Sequence, residues 1–162
     1  MDPQSYSART RYRRPAAWYL RLNWLGVALT SVGLAPRGAV TIAIRGRKSG
    51  RIRKLPILAI PVEGHRYLVA LAGEAQWVRN VRAAGGRVTM RRGRRREVTL
   101  VELPVDQRAP VLKAYIGFGE TLGGAKTASQ QAEFYFGVDR DASLEELATI
   151  AEHYPVFRID PA

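Results

Sequence analysis

The sequence predicts a mainly β, α+β fold: a barrel of about six mostly antiparallel strands with peripheral helices. Three observations lead there. Between residues 39 and 103, short apolar segments rich in Val, Ile and Thr recur between glycine-bearing turns. Apolar residues take up helical spacing only around residues 15–32, 74–84, 104–116 and 144–153. Sequential strands leave unpaired edges unless the sheet closes on itself, so closure is the expected architecture. A chain of 162 residues suits one core-bearing domain of this kind.

Taken in order, residues 1–14 read as a mobile basic arm, residues 15–34 as an amphipathic helix and residues 35–162 as the barrel domain. In the helix, Trp18, Leu22, Leu25, Leu29 and Val32 form one apolar stripe; Pro15 suits its first turn and Gly33 its C-cap. The stripe either packs inward on the barrel or lies on a membrane surface, with Trp18, Tyr19 and Trp24 at the interface. Ala39 to Arg45 is β-branched and reads as a strand. Residues 55–62 form the next strand, and Pro56 and Pro61 mark it as an edge, a bulge or a ligand-facing segment. The turn Glu63-Gly64-His65 leads into a strand over residues 66–72.

At residues 74–84 Trp77, Asn80, Val81 and Ala84 share a helical face that ends at Gly85-Gly86. Residues 87–92 and 94–103 form a hairpin about Gly93, with Val88, Met90, Val98 and Leu100 facing inward. A helix is expected from Pro104 to Ile116, followed by an irregular glycine-rich loop through Ala128. Ser143 with Glu146 makes a capping box for a helix over residues 144–153, and residues 154–160 form a last strand.

Composition narrows the function. Lys and Arg number 26 against 14 Asp and Glu, a formal charge of +12. That excess attracts nucleic acid, an anionic lipid surface or a phosphorylated small molecule. With no cysteine, thiolate chemistry and disulfides are excluded; with His65 and His153 far apart, so is a conventional zinc site. Apolar runs are too short to span a bilayer, and Arg21 and Asn23 interrupt the N-terminal apolar stretch as a signal peptide would not. A cytoplasmic location is expected, with membrane contact through residues 1–33 as the alternative setting.

The segment TIAIRGRKSGRIRKLP, residues 41–56, carries the most chemistry. Gly46 and Gly50 bracket a turn whose backbone N–H groups can converge on an anion. Arg47, Lys48, Arg51, Arg53 and Lys54 crowd it with charge, and Ser49 adds a hydroxyl. The loop is not a phosphate-binding Walker loop, because Arg47 precedes Lys48 where glycine belongs and strands flank it. Left to itself, such a turn is either an anion grip or a solvated basic surface. Trp77 and Asn80, one helical turn apart, would either flank a planar ring with its phosphate tail or serve as core and cap. The hairpin RVTMRRGRRR, residues 87–96, reads as solvated or membrane-facing, since no exposed aromatic is interleaved for base stacking. Gly117-Phe118-Gly119 with Gly123 departs from a dinucleotide fingerprint in spacing and lacks a preceding strand. No acid, base or nucleophile constellation emerges, so no catalytic side chain is named; the reactive atom of an enzyme here belongs to a cofactor.

Together, TIAIRGRKSGRIRKLPI, RYLVALAG, QWVRNVRAAGG and the following hairpin resemble the deazaflavin (F420)-dependent nitroreductase family, within the split β-barrel flavin/deazaflavin oxidoreductases. The motif residues are Gly46, Arg47, Lys48, Ser49, Gly50, Arg53 and Pro56, with Trp77 and Asn80 following; the likeness covers roughly residues 38–103, and the YPVFRI strand also fits. It implies a split β-barrel in which Arg47, Lys48, Ser49, Gly50 and Arg53 hold the phosphate and acidic tail of coenzyme F420, an 8-hydroxy-5-deazaflavin, ahead of FMN. Leu55, Pro56 and Ile57 would line the ring, Ala72 and Gly73 would close its other side, and Trp77 and Asn80 would complete the site. The implied activity is an F420H2-dependent reductase of nitroreductase or quinone reductase type acting on a hydrophobic small-molecule acceptor. Tyr115, Phe118 and Tyr135 are the candidates for lining the acceptor's side.

The chain departs from the family in one place: Ala72-Gly73-Glu74-Ala75-Gln76 replaces a longer loop containing Ser-Lys-Gly-Gly, removing a lysine and adding Glu74. That departure favours the first rival, a non-catalytic split-barrel protein that holds a cofactor or lipid. The second rival is a basic nucleic-acid-binding module, resting on the net charge and the two basic turns.

Overall fold

The structure, a computed structural model, describes residues 17–35 and 37–162. The expected arm at residues 1–14, Pro15, and the side chains of Trp18, Tyr19 and Leu22 lie outside the described residues. Two compact units are present. Among the described residues, one contains residues 17–35, 37–68, 76–102 and 157–162, and the other residues 69–75 and 103–156.

The β-branched segment at Ala39 forms β1 (Ala39–Arg45), followed by β2 (Ile52–Val62), β3 (His65–Val69), β4 (Arg87–Arg92), β5 (Arg94–Glu102) and β6 (Val156–Pro161). These six strands close into a barrel in the order β1-β2-β3-β6-β5-β4, the architecture expected of a split β-barrel. Strand alternation divides its faces. Val40, Ile42 and Ile44 are fully buried, and Ile57, Leu55 and Arg53 stand opposite them on the same face of the sheet. Val88, Val98, Leu100 and Phe157 complete this inner face.

Both β2 prolines are placed as their chemistry requires. β1 pairs with Ile52 to Leu58 and β3 with Ala59 to Val62. Pro56 therefore lies where β2 has β1 alone beside it among the described residues, and its missing donor breaks no ladder on the other side. β2 begins three residues earlier than expected, because Ile52, Arg53 and Lys54 pair with Arg45, Ile44 and Ala43. β3 stops at Val69 rather than at residue 72, since a turn follows in which Gly73 donates to the Ala70 carbonyl at 3.0 Å.

Helix α1 (Ala17–Ser31) corrects the inward reading of the apolar stripe. It meets the sheet through its small residues: a Cβ on Gly26 would stand 3.0 Å from Cγ of Pro56, and the buried Thr30 hydroxyl contacts that of Thr41. Close approach selects that face, so Leu25, Leu29 and Val32 turn outward and are exposed. No described helix is long and apolar enough to cross a membrane.

Helix α2 (Gln76–Ala83) ends in the glycines expected of its C-terminus. Gly85 and Gly86 both have positive φ, and Gly86 exchanges close contact with β5, accepting the Leu100 N–H at 2.8 Å.

The other unit carries the main correction to the sequence reading. Residues 117–128 are helical, not an irregular loop: α3 runs Ala109–Gln131, broken only at Gly124 (φ 76°, ψ 176°). Glycine disfavours helix, but at Gly119 it permits close packing, since a Cβ there would lie 2.5 Å from Oε1 of Gln131 across the bend. A π-helix at Ala132–Phe136 leads to α4 (Leu144–Ile150), whose Ser143 Oγ accepts the Glu146 N–H at 3.1 Å as the capping box requires. Buried Arg108 fastens the segments by donating to the carbonyls of Leu103 at 3.0 Å and Ala151 at 3.2 Å. Phe136 packs edge-on against Tyr115 and Tyr154, with ring centroids 6.0 and 4.9 Å away.

On β6, Arg158 and Asp160 form a two-pronged ion pair at 2.7 and 2.8 Å. Hydrogen bonding from Arg158 holds the Asp160 carboxyl below its usual range. A carboxyl that ionises more readily in the folded chain stabilises it fully above the unfolded-chain value of about 3.9, and loses that contribution as pH falls through the lower folded value. Asp160→Asn should therefore destabilise the barrel at neutral pH but leave stability unchanged at the acid end. Paired urea titrations across that range check this, and a pH-independent difference would refute it.

Candidate functional site

The basic turn is built by the β1–β2 hairpin and held by α2. Gly46 donates to the Arg51 carbonyl and Gly50 to the Gly46 carbonyl, both at 2.8 Å. Gly50 has φ 66°, a conformation a side chain would oppose. Arg47 is pinned from α2: its N–H reaches Asn80 Oδ1 at 3.3 Å, and its Nη1 donates to Asn80 Oδ1 at 3.0 Å and Gln76 Oε1 at 2.9 Å. Arg51 N–H makes a long contact to Ser49 Oγ at 3.4 Å.

These bonds reduce the expected convergence of backbone donors. Gly46, Arg47, Gly50 and Arg51 are already engaged, which leaves the N–H groups of Lys48 and Ser49 without a protein acceptor among the described residues. Side chains therefore dominate the turn's capacity for an anion: Arg47, Lys48, Ser49, Arg51 and Arg53 are all exposed there. The expected crowding of five cations is also divided by strand geometry. Arg53 pairs with Ile44 and shares the inner face, whereas Lys54 pairs with Ala43 on the opposite face. Arg53 begins beside the turn, its Cγ 3.9 Å from where a Cβ on Gly46 would stand.

Leu55 and Ile57 continue the face that carries Arg53 and are half-buried. One face of β2 thus runs from a guanidinium to two aliphatic side chains. Pro56 takes the other face, against Gly26 of α1. Trp77 is half-buried and packs on Phe157, ring centroids 5.5 Å apart, which is the core role open to it. Asn80 is buried, and its amide oxygen positions Arg47. Gln76 was missed by sequence reasoning, although its place one turn before Asn80 on the same helical face carried the signal.

Ala72 and Gly73 belong to the other unit, where Gly73 (φ 67°) and Ala75 form a tight turn closed by the Ala75 N–H to Gly73 carbonyl bond at 2.7 Å. Tyr115, Phe118 and Tyr135 also lie in that unit. There Tyr115 is buried against Phe136, and the Tyr135 carbonyl accepts the Tyr154 hydroxyl at 2.6 Å. Gly117 and Phe118 sit in helix α3, which disposes of the dinucleotide-loop likeness.

The β4–β5 hairpin forms the second basic turn. Register places its tip beyond Ala39, at the opposite end of β1 from the Gly46–Gly50 turn. Thr89 and Glu97 bond across it at 2.8 Å, and Arg92 donates to the carbonyls of Ala39 at 2.7 Å and Ala35 at 3.2 Å.

No protein-family model matches the chain, and no curated protein matches it. Solved structures do. One, an F420-H2 dependent reductase, is 22% identical and superposes with a TM-score of 0.50 over 76% of this chain and 95% of its own. Another, solved as a domain-swapped dimer, is 18% identical with a TM-score of 0.51 over 91% of this chain and all (100%) of its own. The chain therefore shares the split β-barrel fold of an F420-H2 dependent reductase, the fold its sequence motifs anticipate.

Proposed function

We propose that this protein is an F420-dependent oxidoreductase that passes a hydride between the reduced deazaflavin and a hydrophobic quinone- or nitro-type acceptor. The observation that carries the reading is the continuous strip on the β1–β2 hairpin. It starts at a rigid cationic turn with two unengaged backbone donors and continues through Arg53 to Leu55 and Ile57. Those donor types fit a phosphate with an acidic tail, and the aliphatic pair fits a planar ring.

When bound, F420 supplies the hydride chemistry itself. The chain's part is to bind and orient. Lys48 acts as a point charge and Arg53 offers paired donors, while Asn80 and Gln76 hold the Arg47 guanidinium in place at the turn. A pre-positioned cation costs less ordering entropy on binding than a mobile one. Leu55 and Ile57 would keep water from one side of the ring.

The test is a calorimetric titration with F420, followed by loss of F420H2 absorbance in the presence of menadione or a nitroimidazole. Micromolar binding with turnover is expected. Absence of binding would overturn the reading, and tight binding without turnover would assign the role of a cofactor holder, which the loss of a lysine at Ala72 to Gln76 favours.

A further inference from the structure

The outward stripe of α1 and the arginine-rich β4–β5 hairpin are both left unused by the cofactor reading. Trp24 is 69% exposed, Val32 67% and Leu34 76%, and Leu25 and Leu29 are exposed beside them. Positions 24, 25, 28, 29 and 32 share one helical face, so Trp24, Leu25, Leu29 and Val32 form an apolar strip, and Leu34 is exposed just past the helix end. Contiguous apolar surface of this sort marks an interaction site.

The structure fastens that strip to the hairpin. Gly93, at the hairpin tip, donates to the Thr30 carbonyl near the C-terminus of α1 at 2.8 Å. A Cβ on Gly93 would stand only 3.9 Å from the Gly33 Cα. Arg92 holds the carbonyls of Ala35 and Ala39, tying the segment after α1 to the same hairpin. Thr41 pairs with Arg91, and Arg91 with Arg95, so both arginines share the sheet face on which α1 packs. Arg91, Arg94, Arg95 and Arg96 are exposed; Glu97, on the same face 3.7 Å from Arg95, offsets part of that residue's charge, and residues 17–34 and 87–96 contain no acidic residue.

We propose that α1 and the β4–β5 hairpin together form a docking surface for an anionic lipid bilayer, independently of the cofactor reading. The apolar strip enters the boundary between headgroups and acyl chains while the hairpin arginines meet lipid phosphates. Charge selects this occupant. Nucleic acid would satisfy the arginines but leave Trp24, Val32 and Leu34 in water, whereas a second copy would bring like-charged hairpins together.

Co-sedimentation of the full chain with phosphatidylcholine vesicles, with and without phosphatidylglycerol, tests this. Binding to the anionic vesicles alone is expected, weakening as salt rises. Arg91→Gln with Arg94→Gln and Arg95→Gln should weaken it on the order of a hundredfold. Trp24→Ser with Val32→Ser and Leu34→Ser should weaken it roughly tenfold or more. Each variant should keep the parent far-ultraviolet circular dichroism, because the altered side chains are exposed. In the parent chain, brominated lipid should quench tryptophan emission, and Trp24→Phe should bind equally well but quench less. The proposal is overturned by parent chain that stays in the supernatant, by variants that sediment as the parent does, or by unquenched emission. It is overturned equally by a dimer that the serine variant dissociates, which would make a second copy the occupant. Salt-steep DNA binding that the serine variant leaves intact, without vesicle binding, would assign the hairpin to nucleic acid.

Discussion

Replacing Lys48 and Arg53 together by alanine should weaken F420 binding by roughly a hundred- to a thousandfold and leave the unfolding midpoint almost unmoved. Both side chains are exposed and flank the turn, one as a point charge and one as a paired donor. Each charge-assisted contact to an anion contributes about 1.5–3 kcal/mol, and the two are expected to add in part. Surface changes of this kind shift stability by about 0.5 kcal/mol or less, so affinity and folding separate cleanly. Arg47 is the poorer choice for such a test. Its removal would leave the buried Asn80 oxygen only the longer contact from the Arg47 backbone N–H and loosen the turn, mixing a lost contact with a weakened scaffold. Calorimetry on the double variant checks the prediction; a change of threefold or less would remove the turn from the binding site.

Gly86→Ala should destabilise the barrel by about 3 kcal/mol. Two penalties combine. The backbone at Gly86 has φ 79°, where an L-residue pays about 1–2 kcal/mol. The new Cβ would also stand 2.5 Å from the Leu100 carbonyl oxygen, a backbone atom fixed within β5. The hydrogen bond from the Leu100 N–H to the Gly86 carbonyl must then stretch or break. Gly85 provides the control. Its φ is 61°, but nothing lies within 4 Å of its Cβ position, so Gly85→Ala should cost only about 1–2 kcal/mol. Denaturant midpoints that are equal for the two variants would show that the approach to β5 is not tight.

Much of the barrel was legible because period-two patterning and glycine turns are local signals. Ala39–Arg45 is a strand where its β-branched content placed one, the hairpin about Gly93 forms where alternation placed it, and the Ser143 cap forms. What failed depended on tertiary partners. Periodicity alone leaves the stripe Leu25, Leu29 and Val32 either inward or on a membrane surface, and only the fit of Gly26 and Thr30 against Pro56 and Thr41 turns it outward. Residues 117–128 look like a loop on glycine propensity, and their helix is visible only in the structure, where Gly119 packs beside Gln131. At the site, the cations of the turn were plain in the sequence. The restraint on Arg47 was not, because it joins residues 33 positions apart.

The bond between Gly93 and Thr30 has a consequence for how the molecule reports its own motion. An amide at the tip of an exposed hairpin ordinarily exchanges with solvent deuterium almost as fast as in a free peptide. Here that amide is engaged by the last turn of a helix more than sixty positions earlier in the chain. Gly93 exchange therefore requires the hairpin tip and α1 to part, and its protection factor reports the free energy that holds the two together. One backbone proton thus acts as a gauge of helix undocking, readable with no label and no substitution.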